Sequence, residues 1–131
     1  MKGNAFLDTN VAMWWVEGNS RLSTEILDSI MKHPKVYVSS ISVAELRVKA
    51  LKRKIQLPRD LVEIIASTGM ELDSFNVDAA NQISRFETLV RHDPFDRMIL
   101  AHAASHRTAT FYTADDTLAS LGLDWVVHVA K

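Results

Sequence analysis

The chain contains no cysteine. Disulfides, thiolate metal sites and cysteine nucleophiles are thereby excluded, and a reducing compartment is permitted. Four glycines and three prolines in 131 residues leave no linker, repeat or low-complexity segment. There is no long hydrophobic run either. The apolar stretch within MKGNAFLDTN is too short for a signal peptide or a membrane span, so a cytoplasmic protein with no membrane partner is expected. Charge of one sign is also lacking: 15 Lys and Arg against 16 Asp and Glu give a net charge of -1. Any binding to nucleic acid must therefore use a local patch. What remains is ordinary for a globular protein, with 47% hydrophobic and 24% charged residues. Residues 1–131 read as a single domain, long enough to bury roughly two thirds of the surface of the unfolded chain.

Short apolar, β-branched or aromatic runs alternate with longer segments of helical period. Strands are expected at Ala5 to Leu7, Val36 to Ser40, Met70 to Phe75, Thr110 to Thr113 and Trp125 to Val129. Helical spacing covers Val11 to Val16, Ser23 to Lys32, about Val43 to Lys54, Arg59 to Ser67, Val77 to Val90, Pro94 to about His106 and Thr117 to Leu121. Crossovers of this length imply a parallel sheet of about five strands with helices on both faces, a three-layer α/β/α fold.

In such a sheet the carboxyl ends of the strands lie along one edge, where sites form. Asp8 ends the first strand, Glu45 belongs to the helix after the second, Asp96 opens the helix after Pro94, and the strand TFYT runs into Asp115 and Asp116. Each acid also has a local explanation. Ser42 and Glu45 match a capping box, Asp93, Asp115 and Asp116 are plausible N-caps, and Asp96 faces the positive end of a helix dipole. Asp78 occupies a similar place after the third strand and is left out. Asp8 is different, having no cap role visible in the sequence. Carboxylates gathered without compensation repel one another, and the simplest partner for them is a divalent cation with oxygen ligands.

FLDTN, AMWWV, VYVSSISVAEL, KIQLPRDL, HDPFDRMILAHA and FYTADD, taken in this order, resemble the PIN-domain ribonucleases, and within them the VapC-type toxins of prokaryotic toxin–antitoxin pairs. The resemblance implies a PIN-like fold and an acidic site of Asp8, Glu45, Asp96 and Asp115, with Asp8 and Asp96 as principal metal ligands. It implies Thr9 and Thr113 as supporting hydroxyls, and leaves Asp116 able to share the role of Asp115, which the T-x-D pattern selects. The implied reaction is hydrolysis of RNA phosphodiester bonds with Mg²⁺ or Mn²⁺, and the implied partners are a VapB-type antitoxin and a second copy of the chain. A housekeeping PIN nuclease, or a silent RNA- or protein-binding scaffold, is the alternative.

RNA also requires cations. RVKALKRK places Arg47, Lys49, Lys52, Arg53 and Lys54 in just over two helical turns, as a phosphate-binding patch or as a solvated face with a Glu45–Lys49 pair. Arg97 and Arg91 are the other candidates. Trp14 and Trp15 are assigned to the core or to an interface rather than to base stacking. The five histidines look unpromising. His102 and His106 have i,i+4 metal-ligand spacing but lie well past the acidic edge, and His92-Asp93 is rejected as a phosphohydrolase dyad because such sites are built among helices.

Overall fold

A computed structural model of the chain describes residues 3–53 and 55–129. Five strands, β1 (Ala5–Leu7), β2 (Val36–Ser39), β3 (Glu71–Asp73), β4 (Thr110–Thr113) and β5 (Val126–His128), form one sheet. All pairings are parallel, in the order β3-β2-β1-β4-β5. The expected fold class is the one observed.

Among the described residues seven α-helices flank it: α1 (Thr9–Glu17), α2 (Thr24–Met31), α3 (Ser40–Leu51), α4 (Leu61–Ser67), α5 (Val77–Asn81), α6 (Pro94–Ser105) and α7 (Asp116–Ala119). Alternation along the strands builds two cores, as expected for strands buried on both faces. Ala5, Leu7, Val38 and Tyr112 pack with Val11, Ile30, Leu61 and Ile65 on one face. Phe6 and Phe111 pack with Ile99, Leu100 and Leu118 on the other. A sequence period of two thus decides which helix covers which face.

Three local readings are corrected. The helical segment 77–90 is α5 followed by a 3-10 helix, Gln82–Leu89, interrupted at Phe86 (φ -114°, ψ 52°). The break turns Phe86 into the core, edge-on to Trp125 at 6.5 Å. Helix α3 begins at Ser40, three residues before the expected start, and Ser39 is its N-cap, accepting from the Ile41 amide. Ser42 and Glu45 therefore lie inside the helix and form no capping box. Asp8, finally, does occupy a cap position: it is the N-cap of α1, and its Oδ1 accepts from the Thr9 amide at 2.8 Å. Helix α1 stops at Gly18, whose φ of 63° is the left-handed conformation that glycine adopts at least cost. None of the helices described is long and apolar enough to cross a membrane.

Candidate active site

Four elements deliver carboxylates to one place. Asp8 leaves the end of β1, Glu45 projects from the second turn of α3, Asp96 occupies the first turn of α6, and Asp115 is the N-cap of α7, accepting from the Leu118 amide. They line a cavity of about 160 Å³ together with Thr9, Asn10, Lys49, Asp93 and Ala114. Asp93 caps α6 by accepting from the Phe95 amide, as its sequence context suggests.

Hydroxyl groups hold the innermost acids. Thr9 Oγ1 donates to Glu45 Oε1 at 2.6 Å and lies 2.8 Å from Ser42 Oγ. Thr113 Oγ1 donates to Asp8 Oδ2 at 2.6 Å and accepts the Asp115 amide at 3.0 Å, so one hydroxyl fixes two of the acids. Lys49 Nζ stands 3.0 Å from Glu45 Oε2 at the rim, one turn further along α3.

This compensation is incomplete. Burial pushes the Asp8 carboxyl up to about 6; the hydrogen bonds from Thr113 and Thr9 oppose the rise, and the charges of Glu45 and Asp115 add to it. Burial, followed by the charges of Asp8, Glu45, Asp93 and Asp115, pushes Asp96 up to about 7. Buried carboxyls raised by their neighbours are a common signature of functional sites. Oxygen is the only strong donor type that these four side chains offer, the ligand class of hard divalent cations.

Other candidate residues fall elsewhere. Asp116 is exposed and paired with His128 at 3.0 Å, away from the cavity. Arg47, Lys52 and Arg53 are exposed, Arg97 is half-buried, and Lys54 lies outside the described residues. Trp15 Nε1 donates to the Thr68 carbonyl, and both Trp14 and Trp15 pack against the core on the α1 face.

Two histidine arrangements were not visible in the sequence. His92 Nε2 lies 3.1 Å from Asp96 Oδ2 and 3.3 Å from Asp115 Oδ2, although nothing in the order His92-Asp93-Pro94 points it at Asp96 or Asp115. Its distance of four positions from Asp96 is the one available signal, and it reads as helical spacing only if the turn before Pro94 continues the path of the helix. His102 and His106 both meet Asp73, which the sequence reading never singled out.

The fold recurs in solved structures. The chain is similar to a toxin–antitoxin complex from Klebsiella pneumoniae (21% identity, TM-score 0.67, 98% of this chain and 99% of that chain covered). It is similar to the DNA-bound VapBC of Salmonella typhimurium (20%, TM-score 0.69, 99% and 100%). It is similar also to VapBC-5 of Mycobacterium tuberculosis, a member of the VapBC family of toxin–antitoxin systems (25%, TM-score 0.56, 98% and 99%). No curated protein matches the sequence. The PIN domain family model matches residues 5–122, nearly the whole parallel sheet and every acid that lines the cavity. The chain belongs to the PIN domain family.

Proposed function

We propose that the chain is a Mg²⁺- or Mn²⁺-dependent endoribonuclease acting as the toxin of a toxin–antitoxin pair, restrained by a VapB-type antitoxin. One observation carries this reading: four carboxylates from four separate elements converge on one small cavity with their charge only partly compensated. A fold has no structural use for such a cluster, because mutual repulsion costs stability.

Asp8 and Asp96 are the principal ligands in this reading, and Glu45 and Asp115 complete the acidic ring. A bound Mg²⁺ or Mn²⁺ ion supplies Lewis acidity toward a phosphate oxygen and lowers the pKa of a coordinated water. Thr113 and Thr9 keep the Asp8 and Glu45 carboxylates in fixed orientations, which limits the reorganisation needed when the substrate arrives. Lys49 neutralises part of Glu45 and places a cation where a phosphate enters. His92, against Asp96 and Asp115, donates toward the outer carboxylates and restricts how they turn. Arg47, Lys52 and Arg53 continue the cationic surface away from the cavity along α3 and past its end, as sequence-independent backbone contacts require.

The toxin role draws its support from family membership together with the similarity to VapBC and toxin–antitoxin complexes. Homodimerisation is part of the same proposal. Expression without a partner should arrest growth, and Asp8→Asn or Asp96→Asn should relieve the arrest. The purified chain should cleave RNA with Mg²⁺ or Mn²⁺ and not in EDTA. Undisturbed growth with abundant folded wild-type protein, and no cleavage of RNA in either metal, would overturn the reading.

A further inference from the structure

A second group of side chains has the chemistry of a cation site and belongs to neither the acidic cavity nor the cationic surface. His102 lies in the last turn of α6 and His106 is the C-cap of that helix; both aim Nε2 at Asp73 Oδ2, at 2.8 and 2.7 Å. All three donor atoms lie within 4.8 Å of one another. Asp73 ends β3 at the far edge of the sheet, so the group joins an edge strand to a helix. His102 is six residues beyond Asp96, about 9 Å along the helix axis.

We propose that Asp73, His102 and His106 form a second cation site, selective for a borderline divalent ion such as Zn²⁺. Two imidazoles and one carboxylate are the donor set that such ions prefer, whereas Mg²⁺ favours oxygen alone. Tetrahedral coordination at about 2.0–2.2 Å requires donors roughly 3.3 Å apart, slightly more than the present separations. Asp73 is only partly buried, and rotation of its carboxylate opens that gap. A fourth position is left to water on the open side of His106 and Asp73, while His102 is fully buried.

The surroundings fit this role. Ser39 Oγ lies 2.7 Å from His102 Nδ1, and it also accepts the Ile41 amide at 3.0 Å. Without a cation, the Ser39 hydroxyl donates to Nδ1, and His102 Nε2–H donates to Asp73. With a cation on Nε2, the proton resides on Nδ1 and is donated to Ser39 Oγ. The imidazole stays neutral in both states, and Nδ1 keeps Ser39 Oγ as its partner. A hydrogen-bonded group behind a ligating histidine is the usual means of fixing its tautomer and ring orientation. Phe6 and Phe75 pack edge-on against His102 at 4.9 and 5.5 Å and restrict its rotation.

The test is calorimetric titration of the full chain with Zn²⁺ in excess Mg²⁺. The Asp96→Asn variant serves as background, so that the acidic cavity contributes little. One equivalent of Zn²⁺ should bind to Asp96→Asn and raise its Tm, and Co²⁺ should replace it with visible absorption bands of a nitrogen-containing tetrahedral site. Adding His106→Gln, a change at a partly exposed position, should weaken Zn²⁺ binding by more than about a hundredfold, beyond the loss typical of an outer hydrogen-bond partner. Adding Asp73→Asn should weaken it in the same sense. Absence of saturable Zn²⁺ binding in the Asp96→Asn chain, or binding that survives both His106→Gln and Asp73→Asn, would reduce the group to a hydrogen-bonded strut between α6 and β3.

Discussion

Asp96 occupies the first turn of α6, where the helix dipole favours a negative charge by about 0.3 to 1 kcal/mol. Burial, and then its neighbours, reverse that preference. With Asp8, Glu45, Asp93 and Asp115 acting on a buried carboxyl, its pKa rises from 3.8 to about 7, and each unit of rise costs the ionised apo form about 1.4 kcal/mol. The folded apo chain thus retains a proton that the unfolded chain has released, and stability from this group falls as pH climbs from 3.8 to about 7. Asp96→Asn removes the titration. In EDTA the variant should melt higher than wild type near pH 7, with the gap shrinking toward pH 4, where wild-type Asp96 is itself neutral. Added Mg²⁺ or Mn²⁺ should narrow or reverse the gap, because wild type gains binding free energy that the variant largely lacks. Melting curves with a pH-independent deficit for Asp96→Asn would make it a helix-terminus residue and nothing more.

A second residue-scale prediction concerns Tyr112, fully buried at the end of β4. Its hydroxyl lies 2.9 Å from His33 Nε2 and 2.7 Å from Ser29 Oγ, while His33 Nδ1 lies 2.8 Å from the Gly3 carbonyl. The His33 Nδ1–H donates to that carbonyl, which leaves Nε2 to accept from the tyrosine. Burial raises the Tyr112 pKa, so the phenol stays protonated and able to donate. Tyr112→Phe strips His33 of a partner in a closed environment and should cost about 1–3 kcal/mol in denaturant unfolding. A loss near zero would mean that water replaces the hydroxyl.

At the scale of the element, α3 divides the basic segment in a way its composition does not reveal. Lys49 is committed to Glu45 at the cavity rim, whereas Lys52 and Arg53 lie exposed just past the end of the helix. Reversing the charge of Lys52 and Arg53 together should weaken RNA binding and flatten its salt slope by roughly 1.4, the value for two phosphate contacts on a single strand. An unchanged slope with weaker antitoxin binding would reassign the surface to the partner. Arg53 has a further property, a φ of 57°. A left-handed conformation costs a non-glycine residue about 1 kcal/mol, so Arg53→Gly should stabilise the fold by up to about that amount while still removing a cation. Thermal melts and RNA binding would then move in opposite directions.

At the scale of the whole molecule, the parallel sheet turns distance in sequence into proximity. Asp8 and Thr113 are 105 positions apart and share a hydrogen bond of 2.6 Å. Chain reversals between strands all return on the same edge, so each strand end has an opportunity to place a carboxylate there. Folding thereby gathers charge that the unfolded chain keeps dispersed. Mg²⁺ should therefore raise Tm for the whole chain, and the rise should vanish in a variant carrying both Asp8→Asn and Asp96→Asn. An equal Mg²⁺-induced rise in that variant would place the dominant Mg²⁺ site outside the acidic cavity.

The sequence by itself determined the strand and helix order, because periods of 2 and 3.6 follow from the geometry of single elements. It also marked Asp8, Glu45, Asp96 and Asp115, since residues at strand ends and helix starts share an edge once the sheet is parallel. Where capping chemistry is purely local it was legible too, as at Asp93 and Asp115. Matters that depend on contacts between distant elements became visible in the folded chain. Helix α3 starts three residues early, so Ser42 turns to Thr9 instead of capping. The segment after α5 breaks at Phe86 because a ring must reach the core. Asp116 turns to His128 and away from the cavity, although it is adjacent to Asp115, because consecutive residues at a helix start point in different directions. His92 meets Asp115, and Asp73 meets His102 and His106, across elements whose contact the sequence order does not encode. Spacing constrains neighbours on one element; the packing of one element against another is set by the shape of every side chain between them.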